Sequence, residues 1–262
     1  MRGRLLEDPI KEIAAMQLIG NSHPNVLGSV EVLQDNEHLY SIMPYCRGGD
    51  LFGVVLDVAE KRQANEAIEG AGGMSEPVAR YWFRQLLLGL HHLQSKGICH
   101  RDLSLENILV DIHHCLVIDM GMCLRVPYHC DGGGDGKAVD VEQGTDRRLI
   151  VPMGTCGKKN YMSPEVYENK DNFDGFAVDL WSAVSWQYFS LDHVFPKTVW
   201  LRTELTHRPF LFRHYSLFMQ GIILYIMVTG FPPYDIPTTE DERYDIICQG
   251  GLMRQLRAWD SK

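Results

Sequence analysis

The segment His100-Arg-Asp-Leu-Ser-Leu-Glu-Asn-Ile-Leu-Val110 sets a carboxylate, Asp102, and an amide, Asn107, five residues apart just before a β-rich run. That arrangement suits phosphoryl transfer. Asp102 can orient an attacking hydroxyl and accept its proton, and Asn107 can offer a carbonyl oxygen to a hard cation. A second β-rich run, Cys115–Ile118, ends in Asp119-Met-Gly121. An Asp at a strand end, followed by a Gly that permits a sharp turn, can hold a divalent cation against phosphates. Further on lies Tyr161-Met-Ser-Pro-Glu165.

A metal reading of the neighbouring His113, His114, Cys115, His129 and Cys130 is weaker. Their spacing matches no familiar zinc pattern, so they read as strand and loop residues. The seven cysteines are odd in number and form no CxxC, and residues 1–20 lack a secretory apolar core. Free thiols in a reducing, cytoplasmic (or nuclear) setting are expected. A net charge of −9 argues against a nucleic-acid partner. The longest apolar run, Ile222–Val228, is far below the roughly 18 residues of a membrane helix, so no membrane partner is expected.

The elements that must position these groups follow from pattern. Residues 7–20 read as an amphipathic helix closed by Gly20. Val26–Leu33 and His38–Met43 read as strands, and Asp50–Lys61 as a helix. Ser75 reads as the cap of a helix with Pro77 in its first turn, running to about Ser95. Ile108–Val110 and Cys115–Ile118 are short strands around a turn. The run Asp131-Gly-Gly-Gly-Asp-Gly-Lys137 reads as loop. Phe176–Ala183, Gly221–Thr229 and Thr239–Trp259 carry helical or strongly apolar patterns.

Taken in order, these segments resemble the eukaryotic protein kinase family. His100-Arg-Asp…Asn107 resembles its catalytic loop, Asp119-Met-Gly121 its metal-binding turn with Met for Phe, and Ser163-Pro-Glu165 the end of its activation segment. Asp174-Gly…Asp179-Leu-Trp-Ser182 resembles the start of its central helix. Glu12, followed by His23-Pro-Asn-Val26, resembles the glutamate of its regulatory helix. The resemblance implies an α+β, two-lobed fold with an incomplete small β lobe and a mostly helical large lobe. It implies ATP and Mg2+ as cofactors and protein Ser/Thr hydroxyls as acceptors, Glu106-Asn107 favouring Ser/Thr over Tyr. Asp102 becomes the catalytic base, Asn107 and Asp119 the metal ligands, and His100, Glu165 and Asp179 structural supports. Arg101 faces an activating phosphate, with Thr155 the first candidate and Thr145 a weaker one. Met43 takes the gatekeeper-like place. The Pro44 carbonyl and the Cys46 N–H would read adenine, and Asp50 would contact ribose or cap the helix after it.

Three departures matter. Family Ser/Thr enzymes carry Lys two residues after the catalytic Asp, where this chain has Ser104. Lys158 stands instead where an opposing Thr is usual, so the pair looks exchanged, and Lys158 is a candidate for restoring positive charge near the γ-phosphate. Next, no Gly-rich loop and no strand lysine precede Glu12, and the helices after the αG-like region are missing. Residues 1–45 then read as a remnant of the small lobe, residues 46–262 as the large lobe, and the whole as a partial kinase domain. Glu12 is expected to lack its lysine, and Glu165 its arginine. Finally, residues 184–220 split what would otherwise be one apolar helix. The segment holds nine aromatics, no Gly and two acids. Val184 codons begin GT and Gln220 has a codon ending AG, so it reads as a translated intron, a genuine insertion being the alternative. A pseudokinase or inactive fragment acting as a protein-binding module is the competing function. A small-molecule kinase fits less well, because residues 161–165 resemble a peptide-positioning segment.

Overall fold

The computed structural model describes residues 9–63, 72–128, 147–183 and 221–251. Residues 129–146 and 184–220, and with them His129, Cys130, Thr145 and the aromatic segment, lie outside the described residues, as do 64–71 and 252–262.

The architecture is α+β, with short two-stranded sheets set among helices. Helix α1 (Pro9–Ile19) buries Ala15, Met16 and Ile19 along one stripe. It leads to the hairpin β1 (Glu31–Gln34) and β2 (Leu39–Ile42). The expected strand from Val26 is shorter than its pattern, because its first residues serve another sheet. Leu27 donates its N–H to Val117 O (3.0 Å), and Asn25 binds Cys115 O and Gln85 Oε1, each at 3.0 Å.

Helix α2 (Leu51–Gln63) starts where Asp50 Oδ1 accepts from the Gly53 N–H (2.8 Å), the capping role open to that residue. Helix α3 (Glu76–Ser95) is the pillar of the fold. Ala79, Phe83, Leu86, Leu90 and Leu93 form its buried stripe at helical spacing. Each fully buried Leu contributes about 1.5–3 kcal/mol of hydrophobic stabilisation. Gly89 lets α3 touch the loop below it: a Cβ there would stand 2.6 Å from Asn25 O. Ser75 occupies the cap position without forming a side-chain cap bond. Pro77, two residues on, has no N–H to offer it.

Then come β3 (Ile98–Cys99), a 3-10 turn (Leu105–Asn107), β4 (Ile108–Asp111), β5 (His114–Val117) and β6 (Leu124–Arg125). β4 pairs with β5 from Ile108↔Val117 to Asp111↔His114, and β3 pairs with β6. Helices α4 (Pro164–Glu168), α5 (Gly175–Ala183), α6 (Ile222–Thr229) and α7 (Glu242–Cys248) complete the described chain. Of the expected helix Thr239–Trp259, α7 covers Glu242–Cys248, and residues 252–259 lie outside the described residues. Asp241 Oδ1 starts it by accepting from Arg243 and Tyr244, and Gly250, at φ +82°, follows its end.

The main core joins α1, α2, α3, β4, β5, α5 and α6, with Leu51, Leu86, Leu105, Ile108, Val117, Ile222 and Ile223 all fully buried. A smaller apolar cluster, centred on Ile150, Phe173 and Phe176, anchors the segment that follows β6. No described helix is long and apolar enough to cross a membrane.

Candidate active site

Strand β4 is the frame of the site. On one edge it carries β5. On the other it accepts residues 48–50: Gly48 N–H donates to Val110 O (2.9 Å) and Val110 N–H to Gly49 O (2.8 Å). Asn107, directly before β4, Asp119, just after β5, and Asp50 are thereby tied to one short ladder.

The turn that bears Asp102 is held from below by buried groups. Asp179 on α5 is fully buried, and its two oxygens accept the N–H groups of His100 (2.7 Å) and Arg101 (2.8 Å). Burial pushes its carboxyl up to about 6. His100, also fully buried, accepts the Asp102 N–H at Nδ1 (3.2 Å) and faces Ile118 O with Nε2 (2.8 Å). With Nδ1 accepting, the ring proton sits on Nε2, which donates. One imidazole thus links the residue before Asp119 to the backbone of Asp102.

Asn107 Nδ2 donates to Asp102 O (2.8 Å). This fixes the amide and leaves its carbonyl oxygen for another partner. Asp119, at φ +65°, accepts the Gly121 N–H at Oδ1 (3.1 Å) and stays exposed. Arg101, at φ +69°, is the second non-glycine residue here in the left-handed region. Such conformations cost of order 1–3 kcal/mol and persist where the surroundings over-determine them. Two hard oxygen donors beside a third carboxylate suit Mg2+, which takes one or two carboxylates together with phosphate oxygens. Among the described residues no cluster of three or more His, Cys, Asp or Glu could hold a metal without such help.

Asp102 itself is displaced to about 6, chiefly by burial and then by the negative charge of Asp119. Lys158, the Asn107 amide and the Lys158 backbone N–H oppose that rise. Asp102 Oδ1 is buried without a hydrogen-bond partner. Gly157, at φ +87°, passes so close that a Cβ there would stand 3.1 Å from that oxygen. Lys158 Nζ donates to Ser104 Oγ (3.1 Å) and pairs with Glu106 Oε1 (2.9 Å). The exchanged pair therefore meets beside Asp102.

The other sequence-derived candidates are spread more widely. Arg101 donates to Met122 O (3.5 Å) and Gly154 O (3.3 Å) and lies over the Phe173 ring (5.5 Å). Thr155, next to Gly154, is exposed. Met43 and Pro44 are exposed, whereas Cys46 is buried with its thiol pushed up by desolvation. Glu12 lies on α1, close enough for its charge to act on the Cys123 thiol behind the Asp119 turn. Glu165 is pushed up by desolvation, and no cation among the described residues forms an ion pair with it. Gly157, the ion-pair role of Glu106 and the bridging role of Asn25 were not foreseen from sequence. Glycine in an ordered loop was the one available signal for Gly157.

The protein kinase domain family model matches residues 3–198. A CBL-interacting protein kinase 9 from rice (Oryza sativa subsp. japonica) is 28% identical over 250 residues, covering 95% of this chain and 39% of that protein. The serine/threonine-protein kinase SRK2J of Arabidopsis thaliana is 33% identical over 190 residues, covering 71% of this chain and 47% of that protein. The chain thus spans less than half the length of these relatives. With the match extending over most of its residues, and with the Asp102 turn, Asn107 and Asp119 gathered on one frame, the chain belongs to the protein kinase family and resembles its Ser/Thr members.

Proposed function

We propose that the chain transfers the γ-phosphoryl group of Mg·ATP to Ser or Thr hydroxyls of protein substrates. The observation that carries this is the clamp made by His100 and Asp179, which holds Asp102 beside Asp119 and leaves one Asp102 oxygen unpartnered. Asp102 orients the acceptor hydroxyl and takes its proton as the new P–O bond forms and the bond to the ADP oxygen breaks. A carboxyl near 6 is still largely ionised at neutral pH, yet basic enough to receive a proton. Asn107 and Asp119 would hold Mg2+, which neutralises phosphate charge. The Pro44 carbonyl, the Cys46 N–H and Asp50 would form the nucleotide edge. Arg101, beside the exposed Thr155, would receive a phosphate there by forming charge-assisted hydrogen bonds. The six described cysteines are free thiols, in keeping with a reducing, cytoplasmic setting.

Transfer from labelled Mg·ATP to a Ser/Thr-containing acceptor protein tests the reading, with and without residues 184–220. Asp102→Asn should lose roughly 10²–10⁴-fold in rate. Asp119→Asn should lose Mg·ATP binding as well. A wild-type chain that neither binds Mg·ATP nor transfers phosphate, in either form, overturns the reading in favour of a binding module.

A further inference from the structure

We infer that Lys158 is the cation that meets the transferred phosphoryl group, reaching it from the segment that faces the catalytic turn; this rests on the reading of Asp102 as the base. Phosphoryl transfer places negative charge on the oxygens of the moving group, and fixed positive charge there lowers the barrier. The described charges around Asp102 are few. Asp119 is negative, and Lys158 is the described cation that acts on the Asp102 carboxyl. Arg101 is turned away toward two backbone carbonyls and the Phe173 ring.

Lys158 is anchored through its ammonium, where Nζ holds Ser104 Oγ at 3.1 Å and Glu106 Oε1 at 2.9 Å. An ammonium has three protons to donate, and these contacts use two. The third has access to solvent, since the side chain is 41% exposed. Ser104 is fully buried and brings no charge of its own, so the catalytic turn relies on the facing segment for one. Gly157 makes this possible: a Cβ there would stand 3.0 Å from Arg101 O and 3.1 Å from Asp102 Oδ1, and its absence lets the next residue lie against the turn. Glu106 then parks the ammonium, and an arriving phosphate oxygen takes the free donor.

The test uses the full chain. Lys158→Ala should lower kcat by at least about tenfold, with KM for ATP changing less than about threefold, as for an interaction made in the transition state. Lys158→Arg should recover most of the rate. So should the exchange Ser104→Lys with Lys158→Thr, which carries the ammonium across the 3.1 Å contact. An unchanged kcat, or a fall in kcat with no rescue by Arg, overturns the inference while leaving the kinase reading intact. A wild type without Mg·ATP binding or transfer overturns both.

Discussion

Two hairpins of this molecule have ladders of equal size. β1–β2 and β4–β5 each pair four residues with four in antiparallel register. Their surroundings differ. In β4, Ile108 and Val110 are buried in alternation, and in β5 Cys115 and Val117 are, all within the main core. β1 and β2 have no buried residue, and Leu33, Leu39, Tyr40 and Ile42 are exposed. Asn107 and Asp119, the two groups proposed to hold Mg2+, flank the core hairpin β4–β5. Backbone hydrogen bonds alone give a marginal hairpin, and burial of one face turns it into a frame.

The contrast can be broken most severely from beneath the core hairpin. Asp179→Ala would leave two buried N–H groups, those of His100 and Arg101, without acceptors. Unsatisfied buried donors cost about 1–3 kcal/mol each, so a loss of roughly 3 kcal/mol is expected in urea denaturation. A loss below about 1 kcal/mol would mean that the turn repacks around other partners.

A smaller effect should come from the turn of the same hairpin. Ile112, at φ +42°, is a β-branched, exposed residue in a conformation that favours glycine. Ile112→Gly should stabilise by up to about 1 kcal/mol, the relief of left-handed strain being offset in part by chain entropy. Destabilisation would show that the side chain packs usefully after all.

Acid offers a third probe, at the joint between α1 and α3. His23 and His92 stack with ring centroids 4.6 Å apart, and His23 Nδ1 accepts the Asn25 N–H (3.2 Å). His23 lies below its ordinary value, first through burial and then through the charges of His92 and His91. A histidine depressed in the folded state contributes stability that is present above 6.5 and lost as pH falls through its folded value. Melting temperature should therefore decline below about pH 6.5 more in wild type than in His23→Gln. Parallel profiles would remove His23 from the account.

The smallest effect belongs to the exposed hairpin. Asp35 accepts from the Glu37 and His38 N–H groups and from the Tyr40 hydroxyl, and this shapes the turn. Asp35→Ala should speed amide exchange in β1–β2 and leave exchange in α3 unchanged. Faster exchange in α3 would show that the hairpin is coupled to the core.

Much of this was legible in the sequence because it depends on local pattern. Helix α3, the short strands β4 and β5, and the order of Asp102, Asn107 and Asp119 follow from spacing. Features that depend on residues distant in sequence were harder to read. Asn25 binds Cys115 O across 90 residues, and this diverts Val26 and Leu27 from the first hairpin to β5. Glu106 gained its partner only when residues 157–158 folded over the turn. Helix α7 ends at Cys248, just ahead of Gly250 and Gly251, and residues 252–259 of the expected helix lie outside the described residues.

The double pairing of β4 has a genetic corollary. The same four residues set the register of the 48–50 segment on one edge and of β5 on the other. A slip or insertion in β4 would shift the nucleotide edge and the metal-side carboxylate in the same stroke. Losses of nucleotide affinity and of turnover should then be inherited together and be non-additive in double-mutant cycles, so that substitutions in this strand cannot easily trade one against the other.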